Sequence, residues 1–241
     1  MRWLDGRDAV LDAVGHHPYA RLTTGGDGRV IGYVDGDVTA WVSHDHRGAV
    51  PCAFGDPLRA AGMLAALAAD GLLDGARWWH LPRQPPTPGR RAAPVGATRR
   101  DDWDFRWTST PPPAVDGERA VAEADEADVA ALLDDAFPES TSRPGDPRVR
   151  AWWGIREGDR LVACGADRGR GGVGMLGAIT VARDRRGRGL GAALTAAMTR
   201  RLLGGYDVVA LGVMTDNPVA ARLYRGLGFA GSVARTTLEL A

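Results

Sequence analysis

Residues 183–194 read RDRRGRGLGAAL and carry four arginines and three glycines in the nine positions from Arg183 to Gly191. Upstream lies GMLGAITV (174–181), a short, mostly apolar strand candidate. Downstream, Leu190, Ala193, Leu194, Ala197 and Met198 recur at three-and-four spacing, the stripe of an amphipathic helix. Any fold the chain adopts has to seat a cationic, glycine-rich turn between strand and helix. A nucleic-acid patch would need dispersed cations or interleaved aromatics, whereas these glycines lie between the arginines on a tight turn. Gly187-x-Gly189-x-x-Ala192 formally matches the dinucleotide fingerprint. An arginine-rich lead separates it from the strand, however, and too little chain remains after Asp216 to build the rest of that sheet. The third use is a cradle for a polyanion. Glycines expose successive backbone N–H groups at a helix N-terminus, where unpaired donors and the helix dipole favour negative charge, and Arg186 and Arg188 add charge around them. A pyrophosphate fits such a cradle. A plain surface turn would leave neighbouring like charges to repel one another with no counter-anion.

The charge is local, because 30 basic and 30 acidic residues give a formal net charge of zero. Bulk attraction to nucleic acid or to a membrane surface is therefore not expected. Every basic residue is arginine, which excludes a P-loop lysine and a lysine Schiff base. Cys52 and Cys164 each sit in an apolar stretch with no partner at metal spacing, as small buried hydrophobes in a reducing cytoplasm would. His44-Asp45-His46 offers two imidazoles but no further ligand at useful spacing, so no metal is expected. Acids interrupt MRWLDGRDAVLDAVGHH too early for a signal peptide, and no run approaches the ~18 apolar residues of a membrane span. The expectation is a soluble, cytoplasmic protein.

At 241 residues the chain has room for two domains. Leu81 to Pro113 reads as connection, apart from WDFRW (103–107), which alternates like a strand. STPPPAVDGE is linker chemistry, since three prolines favour an extended backbone. A boundary near Pro112 gives domains of 1–112 and 113–241. The first holds a hairpin around Asp35-Gly36, a strand at 49–54, a helix from about Pro57 to Asp70 and the strand RWWHLP. In the second, Asp125 caps a helix that carries Val129, Leu132, Leu133 and Ala136 on one face and stops at Phe137-Pro138. A hairpin (Trp152–Arg156 and Leu161–Ala166), the 174–181 strand, the amphipathic helix, a buried strand at 208–213, a short helix and a last strand, SVARTTLEL, follow. The class is mixed α/β, or α+β, with a smaller α/β domain at the N-terminus, and the two halves share part of their order.

A second stretch, LGVMTDNPVAARLYRGLGF (211–229), narrows the choice. Asp216 or Asn217 can cap its helix, and Pro218 suits the first position. Val219, Leu223 and Leu227 form a stripe expected to face the core. Asn217, Ala220, Ala221 and Tyr224 form another, with polar groups at its ends and small residues between: a shallow track for a thin ligand. With both stretches in this order the chain resembles the GNAT superfamily of acyl-CoA-dependent N-acyltransferases. Arg186, Gly189 and Gly191 match its Arg/Gln-x-x-Gly-x-Gly/Ala loop. Asn217, Ala220 and Tyr224 match N-x-x-A-x-x-x-Y, and GLGF follows. The resemblance covers roughly residues 114–241. The N-terminal half has no such loop and is similar only as a degenerate copy, with no cofactor assigned to it.

The resemblance implies a central mixed sheet flanked by helices, with acetyl-CoA as acyl donor. The amides of Gly187, Arg188, Gly189, Leu190 and Gly191 would hold the CoA pyrophosphate. The strand ending at Val181 would splay from the 208–213 strand to admit pantetheine, and N–H groups near Ile179, Thr180 and Val181 would polarise the thioester carbonyl. Asn217 would contact the pantetheine arm beside Ala220. Tyr224, with an ordinary pKa of about 10, would hydrogen-bond the departing thiolate and protonate it. Many members place a carboxylate on the strand that corresponds to 174–181, and none is present here. Glu139 in the FPES loop is the candidate base, with a water chain as the alternative, and Phe137 and Trp152 are candidates for the acceptor pocket. The expected activity is acetyl transfer from acetyl-CoA to a primary amine of a small molecule or peptide, by direct attack in a ternary complex. A non-catalytic acyl-CoA-binding or sensor protein is the alternative. No metal, nucleic acid or membrane partner is expected, and a homodimer is left open.

Overall fold

A computed structural model describes residues 1–26, 28–45, 48–84 and 96–241. Two hydrophobic clusters organise the chain into two units. The first comprises Met1–Phe105, Met214–Asp216 and Ser232–Ala241, and the second Arg106–Val213 and Asn217–Gly231. In chain order the elements are β1 (Arg2–Asp5), α1 (Gly6–Ala13), α2 (Pro18–Thr23), β2 (Ile31–Asp35), β3 (Val38–Asp45), β4 (Gly48–Phe54), α3 (Pro57–Ala69), β5 (Trp78–Pro82) and β6 (Ala97–Thr108). There follow β7 (Val121–Glu123), α4 (Glu126–Ala136), β8 (Ala151–Glu157), β9 (Arg160–Asp167), β10 (Val173–Val181), α5 (Leu190–Leu203), β11 (Val208–Met214), α6 (Pro218–Gly226) and β12 (Gly231–Leu240).

In the first unit the strands run β1-β2-β3-β4-β5-β12-β6. The β2–β3 hairpin turns at Asp35-Gly36, with Gly36 at φ +59°, the left-handed backbone such a turn requires. Asp56 caps α3, accepting the Leu58 and Arg59 N–H groups, and the helix buries Ala60, Leu64 and Leu67 completely. Each of the two leucines contributes about 1.5–3 kcal/mol of apolar burial. The short elements β1, α1 and α2 have no counterpart in the sequence reading.

The second unit runs β6-β11-β10-β9-β8-β7. Helix α4 buries the face its spacing predicts, Val129, Leu132, Leu133 and Ala136, and ends at Phe137 before Pro138. Asp125 stands at the N-cap without bonding the helix and instead lies 3.5 Å from Arg156. Helix α5 packs Ala193, Leu194 and Met198 into the same core, with Cys164 and Leu176.

The contact-defined division falls inside β6, between Phe105 and Arg106, and not in the Pro112 linker. The last strand joins the first unit because Arg235–Glu239 pair with Pro82–Trp78 of β5. Met214–Asp216 go with it, Thr215 donating its N–H and its hydroxyl to Asp102 O. Residues 85–95 of the connection read over Leu81–Pro113, and His46 of the His-Asp-His stretch, lie outside the described residues, and β6 extends the WDFRW strand back to Ala97 within that connection. Among the described residues no group of His, Cys, Asp and Glu could hold a metal, no helix is long and apolar enough to cross a membrane, and both cysteines are free and buried.

Candidate functional site

Strand β10 is the frame of the site. It keeps β11 as a parallel neighbour only from Val173 to Leu176, opposite Val208 to Leu211. From Gly177 to Val181 the edge that faced β11 has no strand partner among the described residues. Its other edge carries a bulge: Gly177 faces Ala166 and Thr180 faces Cys164, so Ala178 and Ile179 together oppose Gly165. Ala178 takes φ +48°, a left-handed conformation that costs an L-residue about 1–2 kcal/mol. Its carbonyl accepts the Thr180 hydroxyl at 3.0 Å.

Past Val181 the chain makes one 3-10 turn, Arg183–Arg185, and then the glycine loop. Gly187 and Gly189 sit at φ +79° and +80°, and a Cβ on either would meet no atom. Glycine is needed there for backbone geometry and not for space. The extended Arg186 (φ −63°, ψ 153°) leads into these two left-handed glycines, which flank Arg188 in the turn that enters α5. Gly189 is the N-cap of α5. No side chain caps this helix and no acid lies in its first turn, so its orphan donors and positive pole stay open. Asp56 and Asn217 close the equivalent ends of α3 and α6.

The four arginines of the loop differ in what they hold. Arg183 Nε donates to Asp135 O at 2.8 Å. Arg185 is divided between Glu157 Oε2 (2.7 Å) and Asp184 Oδ2 (2.6 Å). Arg186 donates to Val181 O (3.3 Å) and Ala136 O (3.1 Å), which tethers the loop to the C-terminal carbonyls of α4. Arg188 alone has no partner among the described residues, and it is exposed. The sequence treats Arg186 and Arg188 as equivalent charges, but the fold leaves only Arg188 unengaged. Asp184 lies in the same turn. A hydrogen bond from Arg160, together with the Arg160 and Arg185 charges, outweighs its slight desolvation and holds the carboxyl down to about 2. The turn's one negative charge is thus already matched.

On α6, Asn217 Oδ1 accepts the Ala220 N–H at 3.0 Å, so of the two candidate caps it is the one used. Val219 is 66% exposed and does not face the core as its spacing suggested, because the helix turns Tyr224 inward instead. Tyr224 is 8% exposed and lies edge-on to Phe229, with ring centroids 6.1 Å apart. Ile179, Val181, Leu190, Ala220 and Leu223 join the same apolar cluster. A Cβ on Gly191 would lie 3.7 Å from both Leu223 Cδ1 and Val181 Cγ2, so the start of α5, the end of β10 and α6 converge there. Burial pushes the Tyr224 phenol up to about 12, and no group among the described residues hydrogen-bonds its hydroxyl.

The acceptor-side candidates are less gathered. Phe137 is 39% exposed. Glu139 is exposed and has no partner among the described residues. Trp152 is 3% exposed inside the core, so it offers no surface to an acceptor, and its buried Nε1 has no partner among the described residues. Trp153 lies beneath the Arg201 guanidinium at 4.0 Å. Asp146, a carboxylate that sequence reasoning missed and whose side chain is only 4% exposed, is no base. Burial pushes it up, but hydrogen bonds and charge from Arg148, with Arg168 nearby, prevail and hold it down to about 2.

The family model described as "Acetyltransferase (GNAT) family" matches residues 102–229. Among solved structures the chain is similar to a GNAT-family protein from Novosphingobium aromaticivorans DSM 12444, at 23% identity over 98% of both chains and a TM-score of 0.57. A Drosophila protein aligns at 16% identity over 98% of this chain and 86% of its own, with a TM-score of 0.62. A GCN5-related N-acetyltransferase-like protein from Streptococcus suis 89/1591 aligns at 14% identity over 97% and 98%, with a TM-score of 0.52. At these identities the likeness to solved structures is one of fold. A search of curated proteins finds no match.

Proposed function

Because the chain belongs to the acetyltransferase (GNAT) family, we propose that it moves an acetyl group from acetyl-CoA to a primary amine of a small molecule or peptide, by direct attack in a ternary complex and without a metal. One observation carries this reading: among the described residues, a strand edge without a partner, a helix N-terminus without a side-chain cap and a phenol without a hydrogen-bond partner belong to the same unit. In this reading the N–H groups of Gly187 to Gly191 and the Arg188 guanidinium hold the pyrophosphate. Pantetheine follows the open edge of β10, and Asn217, whose oxygen is already used as a cap, offers its amide N–H to the arm.

The amine nitrogen attacks the thioester carbon, and amides of Ile179, Thr180 and Val181 take up the charge that develops on oxygen. The C–S bond then breaks and sulfur leaves with the electron pair. Tyr224 stays protonated at any working pH and donates to that sulfur. The dry surroundings that raise the phenol also raise the thiol, so the proton can pass between them. Glu139, acting through water, receives the proton lost by the amine. Buried free cysteines and the lack of a membrane-length apolar helix among the described residues suit a cytoplasmic enzyme.

The test is thiol release from acetyl-CoA across an amine panel. Turnover with at least one amine is expected, with kcat lowered about 100-fold in Tyr224→Phe; no turnover with any amine overturns the proposal. A non-catalytic acyl-CoA binder is favoured by one observation, the lack of any carboxylate on β10. Calorimetric CoA binding with no thiol release would select it.

A further inference from the structure

The first unit repeats the second in element order and in pairing. β1-β2, β2-β3 and β3-β4 are antiparallel and β4-β5 is parallel; β7-β8, β8-β9 and β9-β10 are antiparallel and β10-β11 is parallel. Helix α1 follows the first strand as α4 follows β7, and α3 links the parallel pair as α5 does. The counterpart of the β10–β11 fork is thus the β4–β5 fork, where Cys52 stands opposite His80. The counterpart of the open end of α5 is the N-terminus of α3.

Both places are filled from within the chain. At α3, Pro57 has no N–H to offer, and Asp56 Oδ1 accepts from Leu58 N (3.0 Å) and Arg59 N (2.9 Å), which puts a carboxylate on the positive pole. At the fork, Arg235 stands on β12 opposite Pro82 and reaches across β5. It donates to Ala53 O on β4 and to His80 O on β5, each at 2.8 Å. The guanidinium is completely buried, lies 4.3 Å over the Tyr19 ring and 5.2 Å from Phe54, and pairs with no carboxylate among the described residues. A buried cation without a counter-ion is costly. This one donates to a carbonyl on each of the two strands and stacks on aromatic faces, while its buried Nε has no hydrogen-bond partner among the described residues.

We infer that the first unit is a second copy of the acyl-CoA fold whose donor cleft the chain itself has closed, with Arg235 in the fork and Asp56 on the helix pole. Each chain therefore takes up one acyl-CoA, in its second unit. The count of one rests on the proposed function of that unit, while the closure of the first does not. Hydrogen–deuterium exchange of the full chain with and without CoA, alongside calorimetric stoichiometry, tests both.

The expected result is one CoA per chain, protection within 182–195 and unchanged exchange at 53–61 and 78–82. Protection at 53–61, or two CoA per chain, overturns the inference. If CoA binds nowhere, the donor reading of the second unit fails, and unchanged exchange in the first unit still meets what closure requires. Arg235→Met, which fills the space but cannot donate, is expected to speed exchange of 50–54 and 79–82 at least several-fold without changing the CoA count. Unaltered exchange there would remove Arg235 from the role. Should that variant fail to fold, the exchange map of the unaltered protein decides alone.

Discussion

Replacing Arg188 by Met separates the ligand-facing charge of the loop from the charges that hold the loop together. Arg188 is exposed and no described residue pairs with it, so its removal breaks no contact within the fold and the melting temperature is expected to stay put. A hydrogen bond to a charged group is worth about 1.5–3 kcal/mol, and solvent exposure reduces this to about 1–2 kcal/mol. The Kd for CoA should therefore rise about 5- to 30-fold. Calorimetry at low and high salt reads the effect, and the gap between the two proteins should narrow as salt screens the lost charge. Arg185→Met is the contrasting control. It leaves Glu157 and Asp184 without one of their cations, so it should lower the melting temperature while CoA affinity changes little. Unchanged CoA affinity in Arg188→Met, or a loss of affinity in Arg185→Met at constant melting temperature, would refute the assignment of roles.

Tyr224→Phe should leave thermal stability nearly unchanged, because no group among the described residues hydrogen-bonds the hydroxyl it removes. Its phenol is raised to about 12, so its contribution is fully present below pH ~10 and is lost as pH climbs through 12. Urea titrations across that window should show about 2–3 kcal/mol less alkaline loss in the Phe variant. Asp146 runs the other way. Held down to about 2, it contributes above pH ~4 and loses the contribution as pH falls toward 2, so Asp146→Asn should flatten the acid limb by about 2 kcal/mol. Gly189→Ala places an L-residue at φ +80° and should cost about 1–2 kcal/mol in stability, read as a lower denaturant midpoint, although the added methyl would meet no atom.

What could be read from the sequence was set by how locally each group is served. The α4 face, the α5 stripe and the β2–β3 and β8–β9 hairpins follow from periods of 3.6 and 2 within a dozen residues, and they appear where those periods put them. Gly187 and Gly189 were legible because a left-handed backbone has a residue-type signature. Ala178 is left-handed too, yet alanine carries no such signature, so the bulge that shapes the edge of β10 left no trace in GMLGAITV. The second position of α6 misled for a related reason: a single apolar residue near a helix end satisfies the stripe rule whichever way the helix rolls, and Val219 rolls outward.

The arginines show where local reading stops. Arg183, Arg185, Arg186 and Arg188 are the same residue type within six positions of sequence, and a cluster read locally is four equal charges. Their roles diverge because the partners are remote: Asp135 and Ala136 at the end of α4, Glu157 on β8, and for Arg188 nothing among the described residues. Arg235 is the extreme case. One arginine in SVARTTLEL reads as the solvent-facing member of an alternating strand, since an unpaired charge belongs in water. Only the pairing of β12 with β5 puts it under Tyr19, and the groups it serves, the carbonyls of Ala53 and His80, belong to a different half of the sequence. A buried cation that donates to backbone carbonyls has no recognisable partner in sequence, because every residue has a carbonyl. The closed cleft of the first unit is for that reason invisible to motif and spacing, whereas the open cleft of the second announces itself through the glycines it needs.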